Sequence, residues 1–544
     1  MTTETVRVGN CSGFYGDRFT AMREMLEGGE LDVLTGDYLA ELTMLILGRD
    51  RARDPSTGYA KTFLAQLKDG LRLALDRGVR IVANAGGVNP AGLVTALREL
   101  GAGARIALVR GDELGPGRHA YLGAFGIARA LEAGADVVVT GRVTDASLVI
   151  GAGIARFGWD RGDLDALAGA TVAGHVLECG TQATGGNYAF FTEIADPLHP
   201  GFPIAELRAD GSSVITKHPG TGGAVTVGTV TAQLVYEVSD ARYPGPDVTT
   251  RLDTVSLRQS GPDRVEITGV RGEPPPPDLK VGRTAPGGYR NAMTLVLTGL
   301  DIEAKAELFR RQFEATGPAG VEWTLARLDR PDAPTQQQAS ALLTVVARGP
   351  DEKAVGRAFS NVAVELALGS YPGFFATTPP GGAHPYGVFT AEYVPQAAHE
   401  VVLDDGTVET IEPPAVTLPL EPRYGPDDAE WSGPTAPRPL GTVAGARSGD
   451  KGGDATIGLW VRDEDSYPWL ATLICEETIR ELLPEAGPHP VRITRLPNLR
   501  AVNVVIEGLL SAGVAYDARF DPQAKGLGEW LRSRVVEVPL REDA

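Results

Sequence analysis

Cysteine is scarce in this chain: three in 544 residues, Cys11, Cys179 and Cys475, far apart in sequence. An odd count without CxxC spacing argues against a disulfide framework and against a cysteine-built structural metal. A reducing, cytoplasmic setting is the expectation. Basic charge is also in short supply, with 51 Lys and Arg against 70 Asp and Glu, a net of −19. Such a surface repels phosphate backbones and anionic membranes, so no nucleic acid is expected as a partner. No apolar run approaches the roughly eighteen residues of a membrane helix. The first residues, MTTETVRVGNCSGF, lack the basic region and apolar run of a signal peptide. Neither GxGxxG nor a Walker A loop is present, so a nicotinamide or ATP site is not indicated and no cofactor is expected.

What is present is the composition of a globular protein, 43% hydrophobic and 22% charged. A chain of this length exceeds one core, and two or three domains are expected. Short apolar runs at Val6–Val8, Ile81–Ala83, Ile106–Val109 and Val137–Val139 alternate with helical patterns at Tyr38–Leu47, Lys61–Leu75 and Ala91–Leu100. This alternation predicts an α/β domain with a mostly parallel, Rossmann-like sheet and helices on both faces. From residue 288 the order becomes βαββαβ, which predicts a ferredoxin-like α+β subdomain. Its elements are Met293–Thr298, Ile302–Ala315, Val321–Ala326, Ala341–Ala347, Lys353–Leu368 and a strand near Tyr386–Tyr393. Residues 405–438, rich in proline and acidic groups, read as an extended linker. The expected organisation is therefore residues 1–404 (an α/β part, 1–287, and the subdomain, 288–404), the linker, and an α+β domain over 439–544.

In open parallel sheets ligands bind beyond the carboxyl ends of the strands, and polar clusters fall there. NCSGFYGDR follows the first strand and offers Asn10, Ser12, Asp17 and Arg18; Arg18 suits a carboxylate or phosphate. GDYLAELTM supplies Asp37, a reasonable helix N-cap. It also supplies Glu41, a carboxylate on a helix that reads as apolar nearly all round and so needs a partner or a task. NAGGVNP presents Asn84, Gly86, Gly87 and Asn89 before a proline-led helix, a ready anion or carbonyl site. TGRVTD sets Arg142 and Asp145 three apart, where an ion pair is an adequate bland account.

The densest stretch is GHVLECGTQATGGN, from Gly174 to Asn187. His175 is the natural proton carrier near neutral pH, and Glu178 lies one helical turn further on the same face. Cys179 is a nucleophile only if its pKa is depressed. Gln182, Thr184 and the Gly185–Gly186–Asn187 turn add polar groups beside backbone that can approach a ligand closely. His-x-x-Glu is also half a metal site, so a divalent metal is left open. Lys217 and His218 offer a further anion site. ARSGDKGGDATIG, with Ser448, Asp450 and Lys451, either binds a ligand or completes the first domain's site.

Taken in order, SGFYGDR, GDYLAELTM, NAGGVNP, VVTGRVTDAS, GHVLECGTQATGGN, GFPIAE and YEVSDARYPGPDV resemble the acyclic terpene utilisation (AtuA) family. RSGDKGGDATIG resembles that family's ferredoxin-like C-terminal domain, with Asp454 where asparagine would be expected. The resemblance implies a setting of acyclic terpenoid and branched-chain acid breakdown through CoA thioesters, and no settled reaction. The residues themselves suit a lyase or hydratase acting by acid–base chemistry: hydration, dehydration or retro-aldol cleavage. His175 and Glu178 would carry protons, with Cys179, Glu41 and Asp37 as further catalytic candidates. Arg18, Arg142 and Lys451 would anchor a CoA thioester or carboxylate. Two rivals stand beside this reading: acyl transfer through Cys179, and a non-catalytic ligand-binding or assembly partner of a CoA-dependent carboxylase. A homo-oligomer is expected.

Overall fold

The computed structural model describes residues 5–426 and 429–540. At its centre five parallel strands lie side by side in the order Thr5–Asn10, Val33–Gly36, Arg80–Ala83, Val137–Thr140, Ile106–Arg110. Their side chains alternate between two apolar layers. Ile81, Ala83, Val137 and Val139 pack with Met22, Phe63, Leu67 and Leu93 on one face. Val82, Val138, Ala107 and Val109 pack with Ile127, Leu148, Val172 and Val176 on the other. Burial on both faces is why these strands read as continuous apolar runs.

The full sheet has eleven strands among the described residues and is mixed. Pro203–Arg208, Ser213–Lys217, Arg264–Thr268 and Ser256–Gly261 extend one edge antiparallel. His399–Val402 and Val408–Ile411 extend the other in the same manner. The expectation of a mostly parallel, Rossmann-like sheet therefore holds only for the central strands. The added strands come largely as hairpins with short turns, and a short turn joins only antiparallel neighbours.

A second correction concerns the helix predicted at Tyr38–Leu47. It runs from Glu41 to Arg53, its N-cap position is Ala40, and no side chain caps it. Asp37 instead accepts the backbone N–H of Leu39. The helix is not buried all round either, since Leu42 and Ile46 are exposed.

Residues 284–389 and 510–523 form a compact unit of their own. In it Ser340–Gly349 lies between Glu322–Ala326 and the strand that ends at Thr298, and this last strand also pairs with His384–Pro395. The helix Ile302–Thr316 packs Phe309 and Phe313 onto Leu295, Leu343 and Val345.

The remaining residues, up to 283, 390–509 and from 524 on, form the other unit. Residues 412–426 and 429–434 carry neither helix nor strand. They are laid down by backbone hydrogen bonds, such as Leu418 N–H to the Pro275 carbonyl and Arg495 N–H to that of Tyr424. The C-terminal sheet is antiparallel, ordered Ala444–Lys451, Asp454–Val461, Ala501–Ile506, Val491–Leu496. It packs against the end of the helix Val227–Leu234. A Cβ at Gly449 would lie 2.6 Å from the Tyr236 ring, and one at Gly458 would strike Val235, so only glycine admits this contact. Asp454 accepts the N–H of Gly508 at 2.8 Å, a bond that an asparagine oxygen would make equally well.

His399, buried in the strand His399–Val402 with its Nε2 unpartnered, is pushed down to about 4 by burial and by Arg161, against the pull of Asp112. It is neutral in the fold, so stability is fully present above its unfolded value and falls as pH drops from about 6.5 towards 4. Between about pH 7.5 and 5 the wild type is expected to lose about 2 kcal/mol more than His399→Leu, read from urea melts. Parallel losses in the two proteins would refute this.

Candidate active site

The loops at the strand tips are mostly occupied with their own backbone. Asn10 accepts the N–H of Ser12, Ser12 donates to the Phe14 carbonyl, and Asp17 accepts from Gly13 and Arg18. Arg18 pairs with Glu24 at 2.7 Å and donates to the Pro200 carbonyl. The loop serves as a buttress: a Cβ on Gly13 would lie 2.6 Å from the backbone of Cys179. Asn84 is fully buried, accepting from Tyr38 N–H and donating to Asp37. Gly86 runs against the carbonyl of Thr140, and Gly87 has a left-handed φ of 53°. Asn89 caps the helix Pro90–Arg98 by accepting from Gly92, so that helix N-terminus already has its acceptor. Lys217 donates to the Thr221 carbonyl and pairs with Asp263 at 3.1 Å.

The other charged candidates do meet. Arg142 pairs with Asp145 at 3.1 Å, and its guanidinium lies 4.1 Å above the Tyr121 ring. Lys280 stands 4.6 Å over the same ring and 3.9 Å from Glu41. Glu41, Lys280 and Asp145 keep 33%, 29% and 30% of their side-chain surface, yet burial is the largest influence on the proton affinity of each. Water reaches them while protein surrounds them, which describes a recess. Burial raises Asp145 to about 6, against the pull of Arg142 and with help from Glu178 and Glu41. Asp37, deeper still, is raised by burial and by Asp145. Burial also pushes Glu41 upwards, but Lys280 and Arg142 hold it below its usual value. Carboxyls driven in opposite directions side by side are the mark of acid–base sites.

GHVLECGTQATGGN forms another wall. His175 and Glu178 lie in the helix Leu164–Glu178, and the spacing of one turn brings Nδ1 to 2.8 Å from the Glu178 carboxylate. Burial pushes this imidazole down, but Glu178 more than offsets it and leaves the value raised. His175 Nε2 and Glu178 Oε2 are buried without partners, donor and acceptor capacity left over by the fold. Tyr243 stands with its ring 5.2 Å from that of His175. Cys179 is not activated on balance: burial, Glu178 and Glu237 push its thiol up, away from the thiolate, and outweigh Gln233 and Arg447. Thr184 is used structurally, donating to the Gly201 carbonyl, and Gly185 and Asn187 take left-handed backbone in the following turn. Gln182 and the Asn187 carbonyl both accept from Arg447 of the C-terminal domain.

That domain supplies more. Lys451 donates to the Glu237 carbonyl at 2.6 Å, and Lys525 donates to the Tyr236 hydroxyl at 2.5 Å while facing Asp450 at 3.3 Å. Ser448 only accepts from Gly528 and donates to the Lys525 carbonyl. Glu237 has a left-handed φ of 57°, a strained conformation for glutamate, and burial raises its carboxyl to about 6 despite Lys525 and Lys451. Lys280, Tyr121, Glu237, Tyr243 and Lys525 were not singled out from the sequence. Glu237 and Tyr243 had a signal, since both stand in YEVSDARYPGPDV; Lys280, after four prolines, and Lys525, in a polar loop, had none. Among the described residues no group of three His, Cys, Asp or Glu is arranged to hold a metal ion, and no helix is long and apolar enough to cross a membrane.

A mixed α/β sheet and an appended antiparallel α+β domain thus share one charged recess, to which both contribute side chains. Residues 6–118 and 116–403 match the family described as acyclic terpene utilisation family protein AtuA, and residues 438–537 match the AtuA ferredoxin-like domain. The chain belongs to the AtuA family. No curated protein matches it.

Proposed function

We propose that this protein is a lyase- or hydratase-type enzyme acting on an acyl-CoA or related branched or terpenoid carboxylic substrate by acid–base chemistry. One observation carries the reading. The recess sets a His175–Glu178 pair with unused hydrogen-bonding capacity among Asp145 and Glu237, each raised to about 6, and the cations Lys280 and Arg142. Proton carriers poised near neutrality suit removal and return of a proton beside a carbonyl. Fixed cations suit the carboxylate or the developing enolate. The raised thiol of Cys179 favours this over acyl transfer.

The test uses full-length protein in D2O with branched 3-hydroxyacyl- and 2-enoyl-CoA thioesters, followed by mass spectrometry. Protein-dependent deuterium uptake at the α-carbon is expected, at least about a hundredfold above buffer. Absence of uptake across the panel, with co-elution of a CoA-dependent carboxylase, would assign the chain to the assembly role instead.

A further inference from the structure

Lysine is the minority cation here: only eight of the 51 basic residues are lysine. Three of those eight, Lys280, Lys451 and Lys525, act on the carboxylates of one recess. Arginine serves ion pairs and planar anions at least as well; what it cannot do is give up its proton and present a neutral amine. A chain so biased towards arginine that places three lysines together invites the question of which one needs to be an amine.

Lys280 and Lys525 have the partners of cations, Glu41 and Asp450 respectively. Lys451 is held differently. It ends the strand Ala444–Lys451 at a glycine turn, Gly452–Gly453, and its Nζ is fixed at 2.6 Å by the backbone carbonyl of Glu237. A carbonyl oxygen holds a neutral amine as well as an ammonium, and the left-handed backbone of Glu237 presents it. On another side Nζ lies 5.7 Å from the Tyr243 ring, whose neighbour is the His175 imidazole. Burial and Lys280 push the amine's proton affinity down, against Glu237, Glu178 and Glu41.

We infer that Lys451 is an imine-forming lysine and that the substrate is an oxo acid, its ketone or aldehyde carbonyl meeting Nζ and its carboxylate meeting Lys280. The inference rests on the acid–base reading of the recess and adds the substrate class. In the step itself the Nζ lone pair adds to the carbonyl carbon and the C=O π pair moves to oxygen. One amine proton passes to that oxygen, a second proton comes from the His175–Glu178 pair, and the oxygen leaves as water. The product is a protonated imine, at the expense of one proton from the recess. It takes up the electron pair released when an α-proton is removed or the Cα–Cβ bond breaks.

Full-length protein is to be incubated with acetoacetate or pyruvate and sodium borohydride near pH 7 and mapped by peptide mass spectrometry. A reduced adduct is expected on Lys451, about tenfold over any other lysine, and absent from Lys451→Arg. Adducts spread over surface lysines such as Lys61, or undiminished in Lys451→Arg, would overturn the inference. Deuterium uptake from the CoA thioesters keeps the two readings apart. Uptake without trapping would sink the imine and leave the acid–base reading standing; trapping at Lys451 with uptake indifferent to His175→Gln would do the reverse.

Discussion

His175→Gln is expected to slow α-carbon deuterium uptake by about a hundredfold to ten-thousandfold, the range for losing a positioned proton carrier. Glutamine approximates the length of the imidazole and can still donate to Glu178, so the helix Leu164–Glu178 should stay in place and the melting temperature should change little. What it cannot do is accept and return a proton. The raised value of the imidazole, set by Glu178 against burial, means that the pair holds its proton to higher pH than a free imidazole does. The rate is therefore expected to fall on the alkaline side as this proton is lost, and that limb should vanish in the variant. An equal loss in Cys179→Ser, with His175→Gln near wild type, would move the chemistry to the thiol.

What the sequence made legible follows from the distance over which each signal acts. The pair one turn apart on a helix, His175 and Glu178, is a local matter, and the spacing carries it. The central strands are equally local, each a short apolar run between polar loops. Lys280 lies outside that reach, since its place over Tyr121 and beside Glu41 is set by pairing between distant segments. The edges of the sheet fall under the same limit: alternation marks a strand but not the direction of its neighbour. The strand-tip loops show the opposite failure. Asn84, Gly86, Gly87 and Asn89 have the composition of an anion cradle, but tight packing and helix capping use the same residue types, and here those uses absorb them. Glu41 was picked out because its helix reads as apolar nearly all round and hence buried; two of those apolar residues are exposed, yet its carboxylate does face a lysine.

Glu237→Gln is expected to make the protein more stable and less active. The carboxyl of Glu237 is raised from 4.5 to about 6 by burial, so the folded state holds its proton more tightly than the unfolded chain does. Ionising it therefore opposes folding: the penalty is absent below about 4.5, grows through the window up to 6, and is complete above it. Glutamine resembles the protonated side chain in size and carries no charge to desolvate. The variant should exceed wild type by about 2 kcal/mol at about pH 7, shrinking to below about 0.5 kcal/mol near pH 4.5, as read from paired urea melts. A less stable variant at neutral pH would show instead that Lys451 and Lys525 hold the carboxylate as an ordinary ion pair. The backbone carbonyl that fixes Lys451 is untouched by the change, so borohydride trapping on Lys451 should persist while deuterium uptake falls. A carboxylate kept in a position that weakens the fold, on strained backbone between two lysines, has its explanation in proton transfer rather than in packing.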